Sequence, residues 1–116
     1  MKAVVLPSPG GPEVLETRDI PAPSPSGERD LLVRLRAAGV NPIDTKLRGR
    51  GTYGGEGDPA VLGCDGAGVV ESAGSGCSRF GPGDEVFFFN GGIGIDPGCY
   101  AEYTVVDERW AAAAVL

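Results

Sequence analysis

The chain has 116 residues, enough for one domain with a single modest core and too few for two. Its 16 acidic and 10 basic residues leave a net charge of −6, scattered along the chain, which disfavours nucleic acid and anionic membranes as partners. The 20 glycines and 10 prolines follow no fixed period and have apolar runs between them, which excludes collagen and a disordered linker and demands frequent turns between short strands.

Residues 2–6 form a short β-branched run stopped by Pro7, Pro9, Gly10 and Gly11, and residues 14–18 resume the pattern. Together they predict an opening hairpin, followed by a rigid connector through Pro21, Pro23 and Pro25. From Asp30 onward, Leu31, Val33, Leu35 and Ala37 fall on one side and Leu32, Arg34, Arg36 and Ala38 on the other, the period of a half-buried strand. Asn41-Pro42-Ile43-Asp44-Thr45-Lys46-Leu47-Arg48-Gly49 sets a capping residue, a first-turn proline, an early acid, late bases and a glycine in helical order, predicting a helix of about two turns. Residues 50–59, glycine-rich and polar around Tyr53, read as a mobile loop of the kind that borders active sites.

Residues 66–73, centred on Val69 and Val70, predict a strand ended by Gly74-Ser75-Gly76. Gly81-Pro82-Gly83-Asp84 is a turn that feeds the run Val86-Phe87-Phe88-Phe89, expected as a buried strand. Residues 100–106 read as the last strand, and short strands at such spacing suggest a barrel or sandwich. Residues 110–116, from Trp110 through four alanines, are apolar and helix-prone and stop without a cap, as in a chain cut short.

The sequence contains no histidine, which removes Ser-His-Asp and Cys-His catalysis and the commonest zinc and iron ligand. Cys64, Cys77 and Cys99 are odd in number and lack Cys-x-x-Cys spacing, so free thiols and a cytoplasmic setting are expected. No stretch reaches the ~18 apolar residues of a transmembrane helix, and Pro7 follows the first apolar run too soon for a signal-peptide core. The glycine clusters never complete Gly-x-Gly-x-x-Gly between a strand and a helix, and no Walker loop occurs. Alone, the chain shows neither a metal-ligand set nor a dinucleotide-binding unit.

Four segments, in order, resemble the N-terminal GroES-like domain of the medium-chain dehydrogenase/reductase superfamily, specifically its zinc-independent quinone oxidoreductase (zeta-crystallin-like) branch. They are Met1-Lys2-Ala3-Val4-Val5 with Gly11-Pro12-Glu13-Val14-Leu15; Ala37-Ala38-Gly39-Val40-Asn41-Pro42-Ile43-Asp44; Gly63-Cys64-Asp65-Gly66-Ala67-Gly68-Val69-Val70 with Gly83-Asp84-Glu85-Val86; and Tyr100-Ala101-Glu102-Tyr103. The resemblance implies one mainly β domain over residues 1–116, a partly open GroES-like barrel with one or two short helices, and a Rossmann domain that this chain does not contain. It implies NADPH as hydride donor, a small-molecule quinone or enone as acceptor and a homo-oligomer, with the isolated chain expected to be inactive. In the alcohol dehydrogenase branch the positions matching Asn41 and Cys64 carry zinc ligands. Asparagine supplies no thiolate, and Cys64 with Asp65 falls short of the three protein ligands of a catalytic zinc, so a metal-free mechanism is expected.

By motif position Asn41 lines the nicotinamide side of the cleft, Asp44 is its neighbour on the same helix, and Tyr53 is a loop aromatic whose hydroxyl could donate a proton to the reduced acceptor. Asn41 also suits a plain N-cap, and Asp44 a plain helix-dipole role. Lys46, Arg48 and Arg50 could meet a phosphate, although a helix C-terminus attracts bases without any ligand, and that reading is favoured. Phe87, Phe88 and Phe89 are expected mainly in the core, with at most one in a pocket. Two rival readings are a complete, non-enzymatic binding or assembly module on the same fold, and an enoyl reductase segment of a larger multienzyme.

Overall fold

The computed structural model describes residues 1–54 and 59–114. Strand β1 (Lys2–Leu6) ends where Pro7 removes a ladder donor, and pairs antiparallel with β2 (Glu16–Asp19), Lys2 opposite Asp19 and Val5 opposite Glu16. This is the expected opening hairpin, with a single 3₁₀ turn, Pro12–Val14, in its connection. On its other edge β1 takes β4 (Ala60–Val61), a two-residue strand that no sequence pattern announces.

Between β2 and β4 come β3 (Asp30–Ala38) and helix α1 (Pro42–Arg50), and after them β5 (Asp65–Ala73), β6 (Glu85–Phe89), β7 (Tyr103–Asp107) and β8 (Ala111–Ala113). The five longer-range strands form a second antiparallel sheet in the order β7-β3-β5-β6-β8. In β3 the expected alternation holds at first: Leu31 and Val33 are fully buried and Arg34 is exposed. Past Leu35 it fades, with Ala37 and Ala38 both exposed, because register shifts between Leu32 and Val33 and between Leu35 and Ala37 re-aim the strand. At this crossing a Cβ on Gly68 would overlap the Arg34 carbonyl, so β5 carries a glycine there.

Residues 100–102 stitch the two sheets together. The Val4 amide donates to the Tyr100 carbonyl at 2.8 Å, the Leu35 amide to the Glu102 carbonyl at 2.8 Å, and the Glu102 amide to the Lys2 carbonyl at 3.1 Å. The result is the expected mainly β, partly open GroES-like barrel. Among the described residues no helix is long and apolar enough to cross a membrane.

Three expectations are corrected. The last long strand begins at Tyr103 rather than residue 100, because residues 100–102 serve the bridge between sheets. The alanines after Trp110 form β8 rather than a helix: Ala111 pairs with Phe88 and Ala113 with Val86, and this sheet edge overrides alanine's helix propensity. Residues 115 and 116 of that predicted segment lie outside the described residues. The aromatic run is buried on one face only, with Val86 and Phe88 inside and Phe87 and Phe89 51% and 67% exposed.

A 3₁₀ turn, Glu108–Trp110, precedes β8 and is anchored by a buried carboxylate. Glu108 accepts the amides of Ser78 and Arg79 at 3.0 and 2.9 Å and a longer one from Phe80 at 3.4 Å. The Ser78 bond, with those of Arg79 and Phe80, outweighs burial and holds this carboxyl below its ordinary range.

The main core joins Leu31, Val33, Val70, Val86, Phe88 and Val106 from four strands of the second sheet, and a smaller cluster of Leu6, Leu47 and Leu62 pins helix α1 to the first. Leu31→Ala is expected to lower unfolding free energy by about 2–5 kcal/mol, as full burial of leucine dictates. Denaturant titration measures this, and a loss below about 1 kcal/mol would place the core elsewhere.

Candidate functional site

Helix α1 begins as its sequence dictates, with Asn41 at the N-cap, Pro42 in the first turn and Asp44 at the third helical position. Only Asp44 and Leu47 of its nine residues are buried. The Asp44 side chain is 4% exposed, and its Oδ2 accepts the Asn41 backbone amide at 2.8 Å and the Tyr100 hydroxyl at 3.1 Å. Oδ1 faces the Cys64 thiol at 3.9 Å. The Tyr100 hydroxyl is also 3.1 Å from the Gly39 carbonyl, so one proton serves two acceptors.

The Asn41 side chain points a different way from its backbone amide. Its Nδ2 donates to Oδ2 of Asp65 at 2.6 Å, bridging α1 to the first residue of β5. The Gly39 amide donates to the Asp65 carbonyl at 3.1 Å, and any Cβ on Gly39 would overlap the Asp65 carboxylate. A side chain at position 39 would push the Asp65 carboxylate from its place beside Asn41.

Beside this pair lies an open concavity of about 550 Å³. Its floor is Ala37, Ala38, Gly39, Gly66 and Ala67; its aromatic wall is Phe87, Phe88, Phe89 and Trp110; Asp65 is its one charged lining residue. All three phenylalanines touch it, where at most one was expected; alternation along β6 turns Phe87 and Phe89 outward, while Phe88 is buried and belongs to the core.

The structure thus unites Asn41 and Asp44 with Asp65, Cys64 and Tyr100. Tyr53 stands apart: its backbone amide donates to the Ile93 carbonyl at 2.9 Å, its side chain is 71% exposed, and among the described residues it joins no hydrogen bond of this network. Residues 55–58 of the same predicted loop lie outside the described residues. Arg48 is used structurally, with Nε donating to the Gly10 carbonyl at 3.1 Å, while Lys46 and Arg50 are exposed. The sequence reading placed Tyr100 only in a closing strand; nothing local announces a tyrosine that reaches Asp44, 56 residues away.

The three thiols are free, as expected. Burial first, then the carboxylates of Asp44 and Asp65, pushes Cys64 up. Cys99 is pushed from 9.0 to about 12 by burial first, then by Asp65. Burial and the hydrogen bond to Asp44 raise Tyr100 as well. Each raised group favours its protonated form in the folded state, so its contribution is complete at neutral pH and is lost as pH climbs through the folded value. Unfolding free energy is accordingly expected to fall between about pH 9 and 12, with Cys64 and Cys99 modified by thiol reagent only on unfolding. Rapid labelling of either thiol at neutral pH in the folded protein would contradict this.

A partly open barrel with one α-helix among the described residues, set beside an aromatic concavity, defines the class of a GroES-like domain. Residues 27–115 match the alcohol dehydrogenase GroES-like domain family, and the chain belongs to that family, within the medium-chain dehydrogenase/reductase superfamily. It is 46% identical over 100 residues to a quinone oxidoreductase of Pseudomonas aeruginosa, covering 86% of this chain and 29% of that protein. To the trans-enoyl reductase tndF of Aspergillus flavipes it is 38% identical over 114 residues, covering 93% of this chain and 32% of that protein. Among solved structures, an NAD-dependent alcohol dehydrogenase superposes with a TM-score of 0.87 at 36% identity, over 97% of this chain and 39% of the other. A mycobacterial protein complexed with NADPH superposes with a TM-score of 0.83 at 34% identity, over 99% and 34%. The chain spans about a third of the length of these relatives.

Proposed function

We propose that this domain is the substrate-side wall of a zinc-independent, cytoplasmic reductase that passes a hydride from NADPH to a quinone or an activated enone. The carrying observation is the Asn41–Asp65 pair: the resemblance sets zinc ligands of the alcohol dehydrogenase branch at the positions of Asn41 and Cys64, and here the Asn41 side chain is bonded to Asp65 instead. Asn41 offers an amide already bonded to Asp65, and Cys64 is a buried thiol kept protonated beside Asp44. Asn41 supplies no thiolate, and Cys64 with Asp65 falls short of the three protein ligands a catalytic zinc takes, so these donors do not fit that metal.

The open aromatic concavity suits a flat, conjugated acceptor, and the likeness to quinone oxidoreductases and to a structure bound to NADPH supports that choice. NADPH, when bound, supplies the hydride; its phosphates and adenosine fall to a second domain. Asn41 contributes to the nicotinamide side. Asp44, buried, acts by holding the Asn41 amide rather than by touching the cofactor. Tyr53, assigned by motif position and exposed on a loop apart from the Asn41–Asp65 network, is the proton donor to the oxygen of the reduced acceptor and recovers its proton from solvent. Phe87, Phe89 and Trp110 exclude water from the acceptor face once a second domain closes over them. The relation to a trans-enoyl reductase favours a second acceptor class, the enoyl thioester, which requires the same hydride geometry.

In the complete protein, NADPH consumption is expected with both a para-quinone and an α,β-unsaturated ketone and is expected to survive a zinc chelator. Tyr53→Phe should lower kcat by roughly 100-fold, the usual weight of a general acid. Loss of activity on chelation would overturn the zinc-free reading, and no NADPH consumption with any acceptor would favour the binding-module alternative.

A further inference from the structure

We infer that Asp65 is a positioning residue for Asn41, fixing the orientation of its side-chain amide before any ligand arrives; this rests on the reading that Asn41 faces the reacting cofactor. A side-chain amide at the rim of a site can turn by half a rotation, exchanging its donor and acceptor ends. A carboxylate only accepts, so Asp65 takes the Nδ2 end and repels Oδ1. The 2.6 Å separation is that of a short, charge-assisted bond, roughly twice as strong as a neutral one.

Asp65 is itself held on a rigid element. It opens β5 opposite Phe89, and its carbonyl accepts the Gly39 amide at 3.1 Å. The missing side chain of Gly39 leaves room for the carboxylate. Among the described residues no lysine or arginine lies within ion-pair distance of Asp65, so Asn41 is its only side-chain partner there. A half-buried carboxylate whose one side-chain bond goes to an amide at the rim of the concavity serves that amide's orientation. Asn41 is thereby clamped twice, its backbone amide by Asp44 and its side chain by Asp65, and arrives at the cleft with its orientation already chosen.

The test is a double-mutant cycle in the complete reductase with Asp65→Ala, Asn41→Ala and the pair. Asp65→Ala is expected to lower kcat/KM for NADPH roughly tenfold, the scale of a mispositioned contact, and to cost nothing further in the Asn41→Ala background. In protein labelled with ¹⁵N-asparagine, the Asn41 Nδ2 resonances should shift in Asp65→Ala toward those of a solvent-exposed amide. Equal losses in both backgrounds, or Asn41 resonances unmoved by Asp65→Ala, would overturn the inference. If Asp65→Ala does not fold, Asp65→Asn keeps the volume while removing the charge, and both readouts should change in the same direction by less. Should the wild type consume no NADPH, the reductase reading fails, while the Asn41 resonances still decide whether Asp65 holds the amide.

Discussion

The buried carboxylate of Asp44 is the point on which the site depends. It gathers the start of α1 through the Asn41 amide, the residue before β5 through the Cys64 thiol, and the bridge between the sheets through the Tyr100 hydroxyl. Tyr100 in turn reaches back to the Gly39 carbonyl after β3, so three segments far apart in sequence, around residues 39–44, 64 and 100, are tied together here. A buried acceptor with several donors is costly to remove, because the Asn41 amide loses its partner and the Tyr100 hydroxyl keeps only the Gly39 carbonyl.

What Asp44 holds in place is the geometry of a pair of neighbours on opposite elements. Asn41 stays at the helix start because its backbone amide is taken, and only from there does its side chain meet Asp65. The hydrophobic clusters set the frame: Leu47 seats the helix on Leu6 and Leu62, while Leu31, Val33, Val70 and Val86 fix the large sheet from which Asp65 rises. The concavity arises where that sheet's regular burial breaks down. Bulges in β3 turn Ala37 and Ala38 outward, and the alternation of β6 leaves Phe87 and Phe89 exposed beside Trp110. An apolar patch of this kind, edged by one acid, is the usual mark of a binding surface.

Features with local causes were legible in the sequence. The proline after Leu6, the two-residue alternation from Leu31 and the ordered cap, proline, acid and bases of α1 each specify their element within a few neighbours. The features that eluded sequence reasoning come from distant pairing. Ala111, Ala112 and Ala113 favour a helix by themselves and become a strand only because β6 offers an open edge. Likewise Asn41 reads correctly as a cap, yet its bond to Asp65 spans 24 residues and Tyr100's to Asp44 spans 56, distances that no spacing rule covers. The resemblance of the segment around Asp65 to its superfamily's glycine-rich strand pair brought that acid to notice as part of a vanished ligand set, while its partnership with Asn41 needed the fold.

The most direct measurement is the unfolding free energy of Asp44→Ala, compared with Asp96→Ala at an exposed acid as control. If the buried carboxylate organises the site, Asp44→Ala loses about 3 kcal/mol, since the Tyr100 hydroxyl and Asn41 amide both lose an acceptor, and the control changes little. A loss no larger than the control's would show that helix, strand and bridge hold their places without Asp44 and would contradict the account.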